Sequence, residues 1–98
     1  MLEAQLEQKC CSYAKSQDWF VTKFVSPNNA GVPDRILIKD GRVVFVEFKR
    51  KGEKPRKLQE FTISLMRQHG ADVAVVDNFS DFKEMLECTN VKNFTSTN

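Results

Sequence analysis

Cysteine, glycine and proline are scarce in this chain, at three, four and three of 98 residues. Cys10 and Cys11 are neighbours and Cys88 stands far from both. That pattern gives no disulfide framework, and the thiols are expected to be reduced and partly buried. The single histidine, His69, has no spaced cysteine or histidine partners, which argues against a zinc site. No low-complexity segment and no internal repeat is present. No apolar run approaches a membrane span, and the N-terminus lacks a basic-then-apolar leader. The chain is expected to be intracellular, complete and unattached to membranes. A net charge of +2 is too small to name a partner by itself.

What is present is an ordinary soluble composition, 41% hydrophobic and 29% charged. A chain this short holds one domain with a modest core, so pairing with a second copy would stabilise it. From Leu2 to Gln17, apolar residues at positions 2, 6, 10, 13 and 14 recur at helical spacing. Trp19 to Val25 is aromatic and β-branched and predicts a strand. Positions 26–31, Ser-Pro-Asn-Asn-Ala-Gly, predict a loop. Two short apolar runs, Asp34 to Ile38 and Val43 to Phe48, flank Asp40-Gly41, a strong hairpin-turn signal. Pro55 suits the start of a second helix, which Gly70 ends. Asp72 to Val76 predicts a buried strand and Phe79 to Leu86 a closing helix. The domain is thus expected to span residues 1–88, with a polar tail, 89–98, that frays. The order α-β-β-β-α-β-α gives an α/β fold, a sheet flanked by helices.

If Asp40 and Gly41 are the central residues of a two-residue turn, facing residues have numbers summing to 81. Ile38 then meets Val43, Ile36 meets Phe45, and Asp34 meets Glu47. Directly opposed side chains share a face with Cβ atoms roughly 4.5–5.5 Å apart. The two-residue period of a strand adds Lys49 to the same face. Two adjacent carboxylates are costly unless a cation lies between them, and Mg²⁺ is commonly held by one or two carboxylates plus waters. Such an ion activates water and polarises a phosphoryl oxygen, while a lysine stabilises the developing negative charge. An Asp at a strand start and a Glu-Xaa-Lys are common on solvated faces. Here Ile36, Ile38, Val43 and Phe45 share that face, while Leu37, Val44, Val46 and Phe48 fill the other. A hairpin apolar on both sides implies a covered sheet, in which charges at one end point to function. Next to this constellation runs a basic stretch, Lys49, Arg50, Lys51, Lys54, Arg56 and Lys57, with Glu53 its only acid. An isolated run of this kind is usually a solvated loop, but beside a phosphate-cleaving centre it reads as a DNA-backbone patch.

Val32-Pro33-Asp34 followed by Val46-Glu47-Phe48-Lys49 resembles the Pro-Asp…Asp/Glu-Xaa-Lys motif of restriction-endonuclease-like nucleases. With Lys23-Phe24-Val25-Ser26-Pro27, Gly31-Val32-Pro33-Asp34-Arg35, Gly41-Arg42, and Lys54-Pro55-Arg56 leading to Gln59, it resembles the virus-type replication-repair nuclease (VRR-NUC) family, from about Glu3 to Asp77. The bare motif recurs by chance, whereas the ordered set is specific. The resemblance implies a Mg²⁺- or Mn²⁺-dependent nuclease. Asp34, Glu47, the Phe48 backbone carbonyl and Glu7 would be metal ligands, Lys49 the catalytic lysine, and Gln59 a residue lining the site. Glu3 lies one turn from Glu7 on the same helix face; Glu7, nearer mid-helix, is preferred, and Glu3 is expected to be solvated. His69, close to Gly70, reads as a helix-end residue rather than a general base.

Small stand-alone members of that family resemble junction resolvases, which implies branched DNA such as a Holliday junction, cut by a homodimer. The basic residues Arg50, Lys51, Lys54, Arg56 and Lys57, with Asn28 and Asn29, would grip phosphates. A viral source would place the protein in the cytoplasm of a host cell. Three alternatives stand beside this reading: a flap- or end-specific or nicking nuclease, a non-catalytic DNA-binding module on the same fold, and a small assembly subunit.

Overall fold

The structure, a computed structural model, describes residues 2–28, 31–88 and 92–96. Helix α1 (Glu3–Ser16) leads to strands β1 (Phe20–Lys23), β2 (Arg35–Lys39) and β3 (Arg42–Phe48), then α2 (Lys57–Gln68), β4 (Asp72–Val76) and α3 (Phe79–Glu87). The element order is the expected one. The sheet runs β1-β2-β3-β4, antiparallel except where β4 joins β3 in parallel after the α2 crossover.

The β2–β3 turn behaves as its dipeptide predicts. Asp40 and Gly41 take φ values of 49° and 82°, the double left-handed geometry of a type I′ turn, which matches strand twist. Lys39 therefore faces Arg42, Ile38 faces Val43 and Ile36 faces Phe45. Strand β1 is shorter than Trp19 to Val25, because Trp19 turns into the core beside α1 and Val25 is 78% exposed. Helix α2 begins at Lys57, two residues after Pro55; Arg56 is still extended and its N–H goes to Gln59 Oε1 at 3.0 Å. Gly70, at φ 96°, ends that helix as anticipated.

The two faces of the sheet are unequally covered. On one, Leu37, Val44, Val46 and Phe48 pack under α1 and α3 with Leu6, Cys10, Ala14, Phe82 and Met85, almost wholly buried. On the other, α2 covers β4 and part of β3, packing Ile63 and Met66 against Phe45, Val73 and Val75. Ile38 and Val43, nearer the turn, remain 37% and 43% exposed. The sheet is thus fully covered on one side only, because a single twelve-residue helix cannot shield four strands.

The tail also departs from expectation within its described part. Residues 92–96 return to β4: Val75 N–H donates to Phe94 O, Ser96 N–H to Val75 O, and Asn93 Oδ1 accepts from Val73 N–H. Polar composition suggested fraying, but main-chain pairing to a strand edge needs no apolar side chains. Residues 89–91, 97 and 98 lie outside the described residues.

Gly31 makes the closest approach of loop to helix. A Cβ there would lie 3.0 Å from Gln59 Cα and 3.0 Å from Leu58 O, at φ +85°. Gly41 has a similar φ but open space around it. Gly31→Ala should therefore destabilise the fold by about 2–4 kcal/mol, the left-handed cost plus a backbone clash, against about 1–2 kcal/mol for Gly41→Ala. Urea denaturation of both variants checks the ranking; equal losses would remove the packing contribution.

Candidate active site

The hairpin register, carried one residue past the end of the β2–β3 ladder, sets Asp34 opposite Glu47. Asp34 is held there by its own backbone, whose carbonyl accepts from Phe24 N–H at 2.8 Å. Parity along β3 places Glu47 on the α2 side of the sheet, at the end remote from the turn, where the charges of Lys49 and Asp34 both act on it. Glu47 and Lys49 are only 8% and 7% exposed, and Lys49 Nζ stands 3.5 Å from Glu47 Oε2. Lys49 leaves the strand with its N–H bonded to Val76 O at 2.9 Å, so β4 anchors the lysine backbone. Gln59, in the first turn of α2, donates from Nε2 to Glu47 Oε2 at 3.1 Å. Its Oε1 accepts from Arg56 N–H, so one amide both caps the helix and orients the glutamate.

Burial pushes the Glu47 carboxyl up to about 7; Lys49 opposes that shift, and the charges of Asp34 and Glu3 add to it. The neighbouring ammonium does not compensate fully for burial beside other carboxylates. Such a group is poised to accept a second, external cation.

Glu7 is engaged elsewhere. Its Oε2 takes the Arg35 Nε–H at 2.5 Å, and Arg35 points to the α1 face, opposite to Glu47. The α1 carboxylate whose charge reaches Glu47 is that of Glu3, which was expected to be solvated. Among the described residues no cluster of three potential metal ligands forms. The acids brought together are Asp34 and Glu47, with Glu3 at longer range. Phe48 ends β3 beside them, paired to Val76. Asn28 is exposed, as are Arg50, Lys51, Lys54, Arg56 and Lys57; Asn29 lies outside the described residues. His69 ends α2 with Nδ1 2.8 Å from Leu65 O, a helix-terminal role. A hollow of about 960 Å³ surrounds Trp19, Arg42 and Asp72 at the turn end and contains none of these residues.

One residue that sequence reasoning missed is Asp77. It is 4% exposed, accepts from Gly52 N–H at 3.2 Å, and thereby ties the basic loop to the end of β4. An aspartate directly after a buried strand, at the same sheet end as Glu47, was the available signal.

A divalent cation suits this donor set. Two hard carboxylate groups, one buried and incompletely neutralised, match Mg²⁺ or Mn²⁺ completed by water. Without an ion, Glu47 costs stability, and the sign follows from its direction of shift. The folded chain holds a proton up to about pH 7 that the unfolded chain releases near the ordinary value of 4.5. Stability therefore falls as pH rises between those values and stays lowered above them, by roughly 3 kcal/mol. In metal-free buffer Glu47→Gln should raise Tm at pH 8 and leave it nearly unchanged at pH 4. Thermal melts at both values check this; a Tm that drops at pH 8 would contradict it.

No family profile matches the sequence. Over 89 residues the chain is 34% identical to "Putative nuclease p44" of Acyrthosiphon pisum secondary endosymbiont phage 1, covering 90% of this chain and 95% of that protein. Among solved structures a VRR_NUC domain superposes with a TM-score of 0.82 at 24% identity, covering 91% of this chain and 98% of the other. The chain belongs to the family of that phage nuclease, and its fold is that of the VRR_NUC domain.

Proposed function

We propose that this chain is a divalent-metal-dependent DNA endonuclease acting as a homodimer on branched DNA such as a Holliday junction. The observation that carries the reading is the convergence of Asp34, Glu47, Lys49 and Gln59 at one sheet end, two of them joined directly to the Glu47 carboxylate. Asp34, Glu47 and the Phe48 carbonyl would hold the ion, which when bound activates water and polarises the phosphate. Gln59 fixes the Glu47 rotamer. Lys49, held within reach of Glu47, offers a cation where phosphorane charge develops and orients the attacking water. Glu3 is a better placed third acid than Glu7, whose carboxylate is taken by Arg35. The exposed cations of residues 50–57 lie beside the site, where they would hold the DNA backbone.

The homodimer is supported by the half-covered face. Phe20, Ile38 and Val43 form one row across β1, β2 and β3. Leu58, Phe61 and Leu65 form an exposed stripe on α2, and Phe20 and Phe61 are 61% and 62% exposed. Summed over both rows, these side chains expose roughly 500 Å² of apolar surface, enough for the centre of an interface of ~800 Å² per partner. A phage relative fits work in the cytoplasm of a host cell.

Glu47→Ala and Lys49→Ala should each lower cleavage at least about 100-fold in Mg²⁺ or Mn²⁺, with DNA affinity changed by less than about threefold. A panel of four-way junction, flap and linear duplex measures both rate and preference. Cleavage by Glu47→Ala at the wild-type rate would end the nuclease assignment, and fastest cutting of the flap would replace the junction with that substrate. Val43→Asp with Phe61→Asp should yield monomers in sedimentation; unchanged dimers would move the interface elsewhere.

A further inference from the structure

A second basic surface lies on the opposite side of the sheet from the 50–57 loop. A groove of about 450 Å³ runs along α1, where Glu7, Gln8, Ser12 and Lys15 line one wall and Lys23 and Arg35 the other. Positions 4, 7, 8, 11, 12 and 15 recur at helical spacing, so the groove follows α1 for about 17 Å. Lys23 and Arg35 are direct cross-strand partners, and Arg35 follows Asp34 in the chain. Nε of Arg35 is taken by Glu7, and its terminal nitrogens have no partner among the described residues. Lys15 and Lys23 are exposed and form no ion pair among the described residues. Three cations against one acid, with hydroxyl and amide donors between them, give a track for a polyanion.

We infer that this groove binds the phosphate backbone of the DNA arm on the α1 side of the cut site. Seventeen ångströms corresponds to about five base-pair steps at ~3.4 Å each, which suits a duplex arm. Asp34 lies where the groove meets the site, since its charge is felt by both Arg35 and Cys11, a groove-lining residue. The catalytic end of the sheet is thus flanked by cations on both faces: the 50–57 loop on one and the α1 groove on the other. A backbone held on both sides is positioned for in-line attack without reading bases. This inference rests on the nuclease reading for the cut, and on charge and geometry for the binding.

The test uses the full chain with labelled four-way junction and duplex DNA. Binding is measured in EDTA between 50 and 200 mM salt, and single-turnover cleavage in Mg²⁺ at saturating protein. Lys15→Ala/Lys23→Ala should weaken binding about tenfold and reduce the slope of log K against log salt by about 2. Lys9→Ala/Lys83→Ala, which removes equal charge near the Tyr13 and Phe79 rings instead, should leave the slope unchanged. Unaltered affinity in the Lys15/Lys23 variant, or equal losses in both, would overturn the groove. A wild type that binds DNA with the predicted groove dependence and never cuts it would overturn the nuclease reading alone. A wild type with no affinity at 50 mM salt would overturn both.

Discussion

The register of β2 on β3 is the constraint on which the site depends. Asp40 and Gly41 accept the left-handed backbone that a two-residue turn demands, and the turn leaves no freedom in which residues meet. A slip of one residue would carry Glu47 and Lys49 to the face packed under α1, where Leu6, Cys10 and Phe82 leave no room for charge. The same slip would expose Leu37, Val44, Val46 and Phe48, residues that the structure buries almost completely. Core and chemistry are therefore locked to one register.

The two sides of the sheet then divide the work. The α1–α3 side supplies the larger core, and its apolar contacts carry the stability of a 98-residue domain. The α2 side is thinner, and that thinness is useful. It leaves Asp34 exposed, keeps Glu47 buried yet reachable, and brings Gln59 from the first turn of α2 onto the glutamate. Close passage of Gly31 over Gln59 and Leu58 fixes where that helix begins relative to the loop. The Glu47 carboxyl, displaced to about 7 by burial and like charge, expresses the tension of the arrangement. A fold that maximised its own stability would not bury a carboxylate at a sheet end where the charge of a second one adds to the cost of burial.

Much of this was legible in the residues because each signal was local and redundant. Asp-Gly between alternating apolar runs predicted the turn, the turn predicted the register, and the register predicted the meeting of Asp34 and Glu47. Gly70 marked the end of α2, and α3 begins at the expected Phe79. What escaped was settled by tertiary contacts. Helical phase put Glu3 and Glu7 on one face of α1, but phase does not say which strand residue each would meet. Arg35, one residue from Asp34 and on the other face, captures Glu7 and leaves Glu3 nearer to the buried pair. The return of residues 92–96 to β4 rests on backbone hydrogen bonds that polar side chains neither announce nor forbid. Coverage of the hairpin was overestimated for a similar reason, since apolar alternation cannot tell a surface covered by its own chain from one left for another copy.

The central claim is that Asp34 and Glu47 jointly hold one divalent cation. Calorimetric titration of the DNA-free protein with Mn²⁺ at pH 8 tests it most directly, with Asp34→Asn and Glu47→Gln titrated in parallel. The account predicts one site per chain in the wild type and loss of that site in both single variants. Undiminished Mn²⁺ affinity in either variant would show that the two carboxylates do not share an ion.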